Sequence, residues 1–190
     1  MTTDPDIEQF VARLRSHARL AVLTGAGCST GSGIPDYRDT DGEWKRRQPI
    51  HFPEFMATEL ARKRYWARSM VGFRAFAAAS PNDIHHGLAA LQGDGWVSAL
   101  ITQNVDGLHQ RAGSPDVIDL HGRLDNVICL ECKRLFERTT IQTRLEALNQ
   151  GWHYENARPA PDGDVDLEGA NYDDFTLASC ELCQGILKPD

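Results

Sequence analysis

The sequence predicts an α/β fold, a Rossmann-like parallel sheet with a helical insertion and a small cysteine-stapled module, and three observations predict it. An apolar run, Leu20, Val22 and Leu23, passes straight into Gly25, Gly27, Gly31 and Gly33. Two further short apolar runs, residues 96–102 and 117–120, end in polar residues and alternate with stretches of helical period, the pattern of a parallel sheet. Two Cys-x-x-Cys pairs then mark the last third of the chain, Cys129/Cys132 and Cys180/Cys183.

Composition narrows the class. With 190 residues, 41% hydrophobic and 25% charged, the chain suits one domain carrying a small module. No apolar run approaches the roughly 18 residues a membrane span needs, so no membrane partner is expected. The acidic first residues, 1–8, lack the basic and apolar regions of a signal peptide, which points to a reducing cytoplasm. A net charge of −7 disfavours nucleic acid, whose binding rests on phosphate neutralisation by Lys and Arg. The acidic run Asp162, Asp164, Asp166, Glu168, Asp173 and Asp174 reads as a solvated loop.

In chain order, residues 5–16 form a helix. Asp4 caps it, Pro5 suits its first turn, and Ile7, Phe10, Val11 and Leu14 share one face. Residues 20–23 are a buried strand, and the glycines that follow let backbone N–H groups approach a phosphate. The usual G-x-G-x-x-G is broken at Thr30, and no acidic residue ends a second strand about 20 residues on. Ile34-Pro35-Asp36-Tyr37-Arg38 adds a carboxylate, a ring and a guanidinium just beyond the loop. Trp44, Phe52 and Phe55 serve packing before ligand contact. Residues 54–79 are helical, with a break expected near Gly72, and carry aromatic core residues. Asn82 opens another helix containing His85, read as structural. Residues 96–102 form the second strand, and Gln103, Asn104, Asp106 and His109 crowd its carboxyl end, where open α/β sheets bind ligands. The third strand, 117–120, delivers His121. Three strand ends thus converge.

The two cysteine pairs supply four soft ligands from two tight turns, as a tetrahedral zinc wants. The intervening segment, 133–179, exceeds the usual ~15–20 residues and must loop out and return, with a helix at 141–149 placing Leu145 and Leu148 inward. A disulfide pair or a redox Cys-x-x-Cys are the other readings. A reducing compartment disfavours the first and the matched pairs the second. One structural zinc is expected on Cys129, Cys132, Cys180 and Cys183. Cys28 remains as a small buried thiol.

Gly25-Ala26-Gly27-Cys28-Ser29, Gly33-Ile34-Pro35-Asp36-Tyr37-Arg38, Thr102-Gln103-Asn104-Val105-Asp106-Gly107-Leu108-His109, Leu120-His121-Gly122 and the cysteine pairs, in this order, resemble the sirtuins, the NAD-dependent protein-lysine deacylases. Arg64-Tyr65-Trp66-Ala67-Arg68 and the long gap between cysteine pairs resemble the class II branch, of the mitochondrial sirtuin-four type. The resemblance implies NAD as cofactor and an acylated-lysine protein or peptide as substrate. It implies that Ala26, Asp36, Tyr37 and Arg38 line the NAD pocket, with the glycine loop on the phosphates and Gly25, Gly27 and Ser29 among the cofactor-binding residues. Gln103 and Asn104 would meet the nicotinamide ribose, Asp106 the carboxamide. His121, with Asn104, would be catalytic, the histidine as general base, a role the imidazole class suits at neutral pH.

Residues 1–122 are expected to form the NAD-binding portion, with the helical insertion at about 54–92, and 123–190 the zinc module. The sequence stops at Asp190, before the segment that completes the sheet in sirtuins, so an incomplete sheet, first half only, is expected. Other outcomes stay open: a mono-ADP-ribosyltransferase, a deacylase for unusual acyl groups, or an inactive zinc-stabilised fragment or binding module.

Overall fold

The computed structural model describes residues 4–17, 19–38, 41–43, 50–152, 158–167 and 169–190. Trp44 and Glu168 lie outside the described residues. Helix α1 (Pro5–Arg15) starts as its sequence dictates: Asp6 N–H donates to Asp4 Oδ1 at 3.0 Å, and Pro5 fills the first turn. Its apolar face, however, is not covered by the described residues, with Ile7 57% and Phe10 62% exposed.

Strands β1 (Leu20–Thr24), β2 (Val97–Thr102) and β3 (Val117–Asp119) form a parallel sheet in that spatial order. A parallel sheet is buried only if both faces are layered. Helix α4 (Asp83–Gly93) packs on β2, and Leu100 is fully buried. Leu23, Ile101 and Ile118 stand in one register row. In that row Leu23 is 60% and Ile118 53% exposed, so β1 is a strand but not the buried one expected. The sequence run marks the strand; whether its outer face is layered depends on other segments.

Between β1 and β2 lie α2 (Phe52–Ala57) and α3 (Glu59–Ala78). The helical break falls at Thr58, not at Gly72. Thr58 is extended and its Oγ1 accepts from Ala61 N–H at 3.0 Å, capping α3. Gly72 lies inside α3 and serves a close approach by a loop: a Cβ there would run into the Gly163 carbonyl.

Strand β4 (Asn126–Cys129) pairs antiparallel with β5 (Leu135–Glu137) and β8 (Leu187–Pro189), and α6 (Arg138–Leu148) packs on β4 and β5. A small ribbon, β6 (Arg158–Pro159) with β7 (Val165–Asp166), lies against α3. The larger core joins Phe55, Trp66, Ala67 and Met70 of α2 and α3 to Val127, Ile141, Leu145, Phe175 and Leu187. The long helix therefore shares its core with residues 123–190. Leu145 points inward as expected, but Leu148 is 49% exposed, because the buried face of α6 runs through Ile141, Gln142, Leu145 and on to Asn149, and Leu148 falls beside it. Arg138, 1% exposed, lies over the Phe73 ring at 4.2 Å and donates to Gln142 Oε1 at 2.6 Å. Burial pulls its guanidinium down to about 10. No helix among the described residues is long and apolar enough to cross a membrane.

Candidate active site and metal centre

The carboxyl ends of the three parallel strands are tied together by polar bonds. Gln103 N–H donates to the Thr24 carbonyl at 3.0 Å, and Leu120 N–H to the Thr102 carbonyl at 2.9 Å. After β1 the chain enters a short 3-10 helix (Ala26–Ser32), closed by Gly33 at φ 83°, a left-handed value that favours glycine. Ser29, fully buried, donates from Oγ to Asp106 Oδ2 at 2.6 Å and accepts from Asn104 Nδ2 at 3.0 Å. The Asn104 amide also donates to the Gly25 carbonyl at 3.1 Å. Leu108 N–H, opening α5 (Leu108–Arg111), donates to Asp106 Oδ1 at 2.9 Å. Loop and β2 terminus are thereby one rigid unit.

In front of this unit opens a cleft of about 960 Å³, within the range of small-molecule sites. Of the sequence-predicted residues, Ala26, Gly27, Asp36, Tyr37 and Arg38 line one wall, and Gln103, Asn104 and His121 the other. Gly25 and Gly27 have open space where a Cβ would stand, so the backbone there is free to meet a ligand. Gly25, Ser29 and Asp106 are not among the lining residues. Ser29 bridges Asp106 and Asn104, donating to the carboxylate and accepting from the amide, and so holds the Asn104 amide at the cleft wall.

A second cavity of about 200 Å³ adjoins the cleft, with Phe55, Tyr65, Leu124 and Pro189 in its lining. His121 lines both cavities, together with Phe52, Val105 and Asp162. Gly122, at φ 73°, turns the chain immediately after His121, and a Cβ there would collide with the Asp190 carbonyl. Phe52 reaches the cleft, while Phe55 is 3% exposed within the larger core as well.

Sequence reasoning missed Ile50, His51, Val105 and Asp162 in the cleft. Asp162 also corrects the solvated-loop reading of the acidic run. Burial pushes its carboxyl up. Asp164 is 5% exposed and pushed up to about 8 by burial, against the opposing pull of Arg68 at 3.1 Å. Tyr37 in the cleft wall is pushed up by burial and by the nearby Asp162 and Asp164. No local pattern separates a buried Asp from an exposed one in such a run; an arginine in α3 was the available signal.

The four paired cysteines converge. Cys129 Sγ lies 3.5 Å from Cys183 Sγ and Cys132 Sγ 3.7 Å from Cys180 Sγ, and all four ligand atoms lie within 4.8 Å of one another. A tetrahedral zinc with Zn–S near ~2.3 Å requires sulfurs about 3.8 Å apart, so the cluster fits zinc. All are free thiols. The set is complete with four sulfurs, leaving no open coordination position, as in a structural site.

The sequence model of the Sir2 family matches residues 25–190. A protein of Bradyrhizobium diazoefficiens named NAD-dependent protein deacetylase 2 is 55% identical over 184 residues, covering 97% of this chain and 66% of its own length. One of Xanthomonas campestris pv. campestris named NAD-dependent protein deacetylase is 54% identical over 188 residues, covering 99% and 63%. This chain thus spans about two thirds of the length of these curated relatives. Among solved structures, a Sir2 with a deacetylated p53 peptide and 3'-O-acetyl ADP-ribose superposes with a TM-score of 0.72 at 29% identity, over 97% of this chain and 63% of that one. A Sir2 bound to acetylated peptide gives 0.69 at 29% identity, over 96% and 62%.

Proposed function

The chain belongs to the Sir2 family, and from that premise we propose that the protein carrying it is an NAD-dependent protein-lysine deacylase of the cytoplasm, with one structural zinc. The observation that carries the reading is the position of His121, at the junction of a large cleft walled by Asp36, Tyr37, Arg38, Gln103 and Asn104 and a small cavity with Phe55, Leu124 and Pro189 in its lining. Two substrates of different chemistry would meet there. NAD fits the cleft, and an acylated lysine side chain fits the cavity.

In this reading the open backbone at Gly25 and Gly27 follows the pyrophosphate, where unpaired N–H groups stabilise negative charge. Asp36, Tyr37 and Arg38 wall the dinucleotide, and Gln103 and Asn104 reach its nicotinamide ribose. Ser29 and Asp106 act through Asn104 as positioning residues. NAD, when bound, supplies a ribose carbon that the acyl oxygen of the lysine attacks as nicotinamide leaves. His121 takes the proton of a ribose hydroxyl, the step that commits the acyl group to transfer. Phe55, Leu124 and Pro189 give the acylated side chain apolar contact. Cys129, Cys132, Cys180 and Cys183 hold the zinc that pins β4 to the chain before β8. A reducing cytoplasm keeps these thiols available to the metal.

Calorimetric titration of NAD into the protein tests the cleft assignment. Binding that weakens tenfold or more in Asn104→Ala supports it. Equal binding by wild type and variant removes Asn104 from the cofactor site.

A further inference from the structure

On the inner side of the glycine loop, three ligating side chains meet that the proposed reaction does not use. Cys28 Sγ lies 3.9 Å from His85 Nε2 and 3.9 Å from His109 Nε2, and the three ligand atoms all fall within 4.8 Å of one another. They arrive from three separate elements: the 3-10 helix, α4 and α5. The two imidazoles are buried, 0% and 1% exposed, with ring centroids 4.8 Å apart. We propose that Cys28, His85 and His109 form a second metal site, separate from the four-cysteine centre, for a borderline-soft cation of the zinc class.

The geometry is that of a three-ligand set. With a metal–sulfur bond near ~2.3 Å and metal–nitrogen bonds near ~2.05 Å at tetrahedral angles, sulfur and nitrogen are separated by about 3.6 Å. The observed pair of 3.9 Å separations is about 0.3 Å wider, so the three side chains draw in slightly around the ion. The protonation states are also right. Burial lowers both imidazoles, so both are neutral and offer lone pairs at neutral pH. Burial raises the Cys28 thiol, so the metal displaces its proton: the S–H bond breaks, the S–metal bond forms, and one proton leaves to solvent. Asp106, whose charge acts on all three groups, offsets the cation.

Metal binding must reset the tautomers the surrounding hydrogen bonds hold. His85 Nδ1 accepts from Asn82 N–H at 3.2 Å and lies 3.0 Å from Asn82 Oδ1, so a metal at Nε2 requires Nδ1 to release the backbone N–H and donate to that oxygen. His109 Nε2 lies 2.9 Å from Thr24 Oγ1, whose hydroxyl also reaches the Ile101 carbonyl at 3.4 Å and can turn to it. His109 Nδ1 is buried without a hydrogen-bond partner among the described residues, so a metal at Nε2 moves the ring proton to a nitrogen that lacks an acceptor, a cost the metal–nitrogen bond must offset. Asn104 Nδ2 donates to Cys28 Sγ at 3.4 Å, which links the site to a wall of the cleft.

The test uses reduced protein loaded with one zinc and then titrated with Co²⁺. Wild type takes up one further equivalent and develops a thiolate-to-cobalt charge-transfer band; Cys28→Ala, checked for retained zinc and circular dichroism, takes up none. No second equivalent in wild type, or equal uptake by the variant, overturns the proposal. A measurement on wild type alone guards against a misfolded variant. Alkylation of Cys28, mapped by mass spectrometry, falls at least fivefold when Zn²⁺ is present at one equivalent beyond the first. Unchanged alkylation overturns the proposal.

Discussion

Replacing Ser29 by Ala removes one oxygen that holds two site residues in place. Ser29 is fully buried, and its hydroxyl donates to Asp106 at 2.6 Å and accepts from Asn104 at 3.0 Å. A hydrogen bond to a charged group contributes about 1.5–3 kcal/mol and a neutral one about 1 kcal/mol. Asp106 is half-buried and regains some water, and Asn104 keeps the Gly25 carbonyl at 3.1 Å, so the net loss is below the sum. The expected destabilisation is about 2–3 kcal/mol. Urea unfolding with zinc kept saturating measures it, and a double-mutant cycle with Asp106→Asn isolates the shared bond. A coupling of about 1.5 kcal/mol or more is expected. A Ser29→Ala loss under ~0.5 kcal/mol with no coupling would refute the claim that this hydroxyl ties loop to strand.

The remaining predictions concern the metal, the buried acid and the turn after β3. Stripping zinc with a strong chelator should unfold residues 123–190 and the α3 packed on them, seen as lost helical circular dichroism that returns with zinc; unchanged dichroism in verified metal-free protein counts against a structural site. Asp164, at about 8 when folded, holds a proton that the unfolded chain, near ~3.9, has released. Its stabilising contribution is therefore present below pH ~4 and lost as pH rises through about 8, by up to ~1.4 kcal/mol per unit between. Asp164→Asn should flatten that slope in urea unfolding at pH 6 and pH 8, leaving the smaller same-sign part from Asp162; an unaltered slope removes Asp164 as its source. Gly122→Ala must adopt φ 73° and meet the Asp190 carbonyl, so it should lower stability by at least ~1–2 kcal/mol and displace His121; a neutral result in thermal melts contradicts the strained turn.

The parts of the site that depend on local pattern were legible. Strand runs ending in Gly25, Gln103 and His121 place three strand ends, and the paired cysteines announce one metal because each pair is a chelating turn. Long-range packing was not legible. Asp162 and Asp164 look like any exposed acids until Arg68 and α3 cover them. Gly72 suggested a break because its real role, admitting the carbonyl of Gly163 from far along the chain, is not visible locally. Leu23 reads as core because nothing in a strand's own residues says whether its outer face is layered. Ser29 and Asp106 were legible as residue types, but the bond between them, through which Ser29 also holds Asn104, was not.

The most direct test incubates the protein with NAD and an acetyl-lysine peptide and resolves the products by mass spectrometry, alongside His121→Ala. The account predicts nicotinamide, deacetylated peptide and O-acetyl-ADP-ribose in equal amounts, with turnover falling at least a hundredfold in the variant. Nicotinamide release with ADP-ribose attached to protein, or turnover unaffected by His121→Ala, would contradict it.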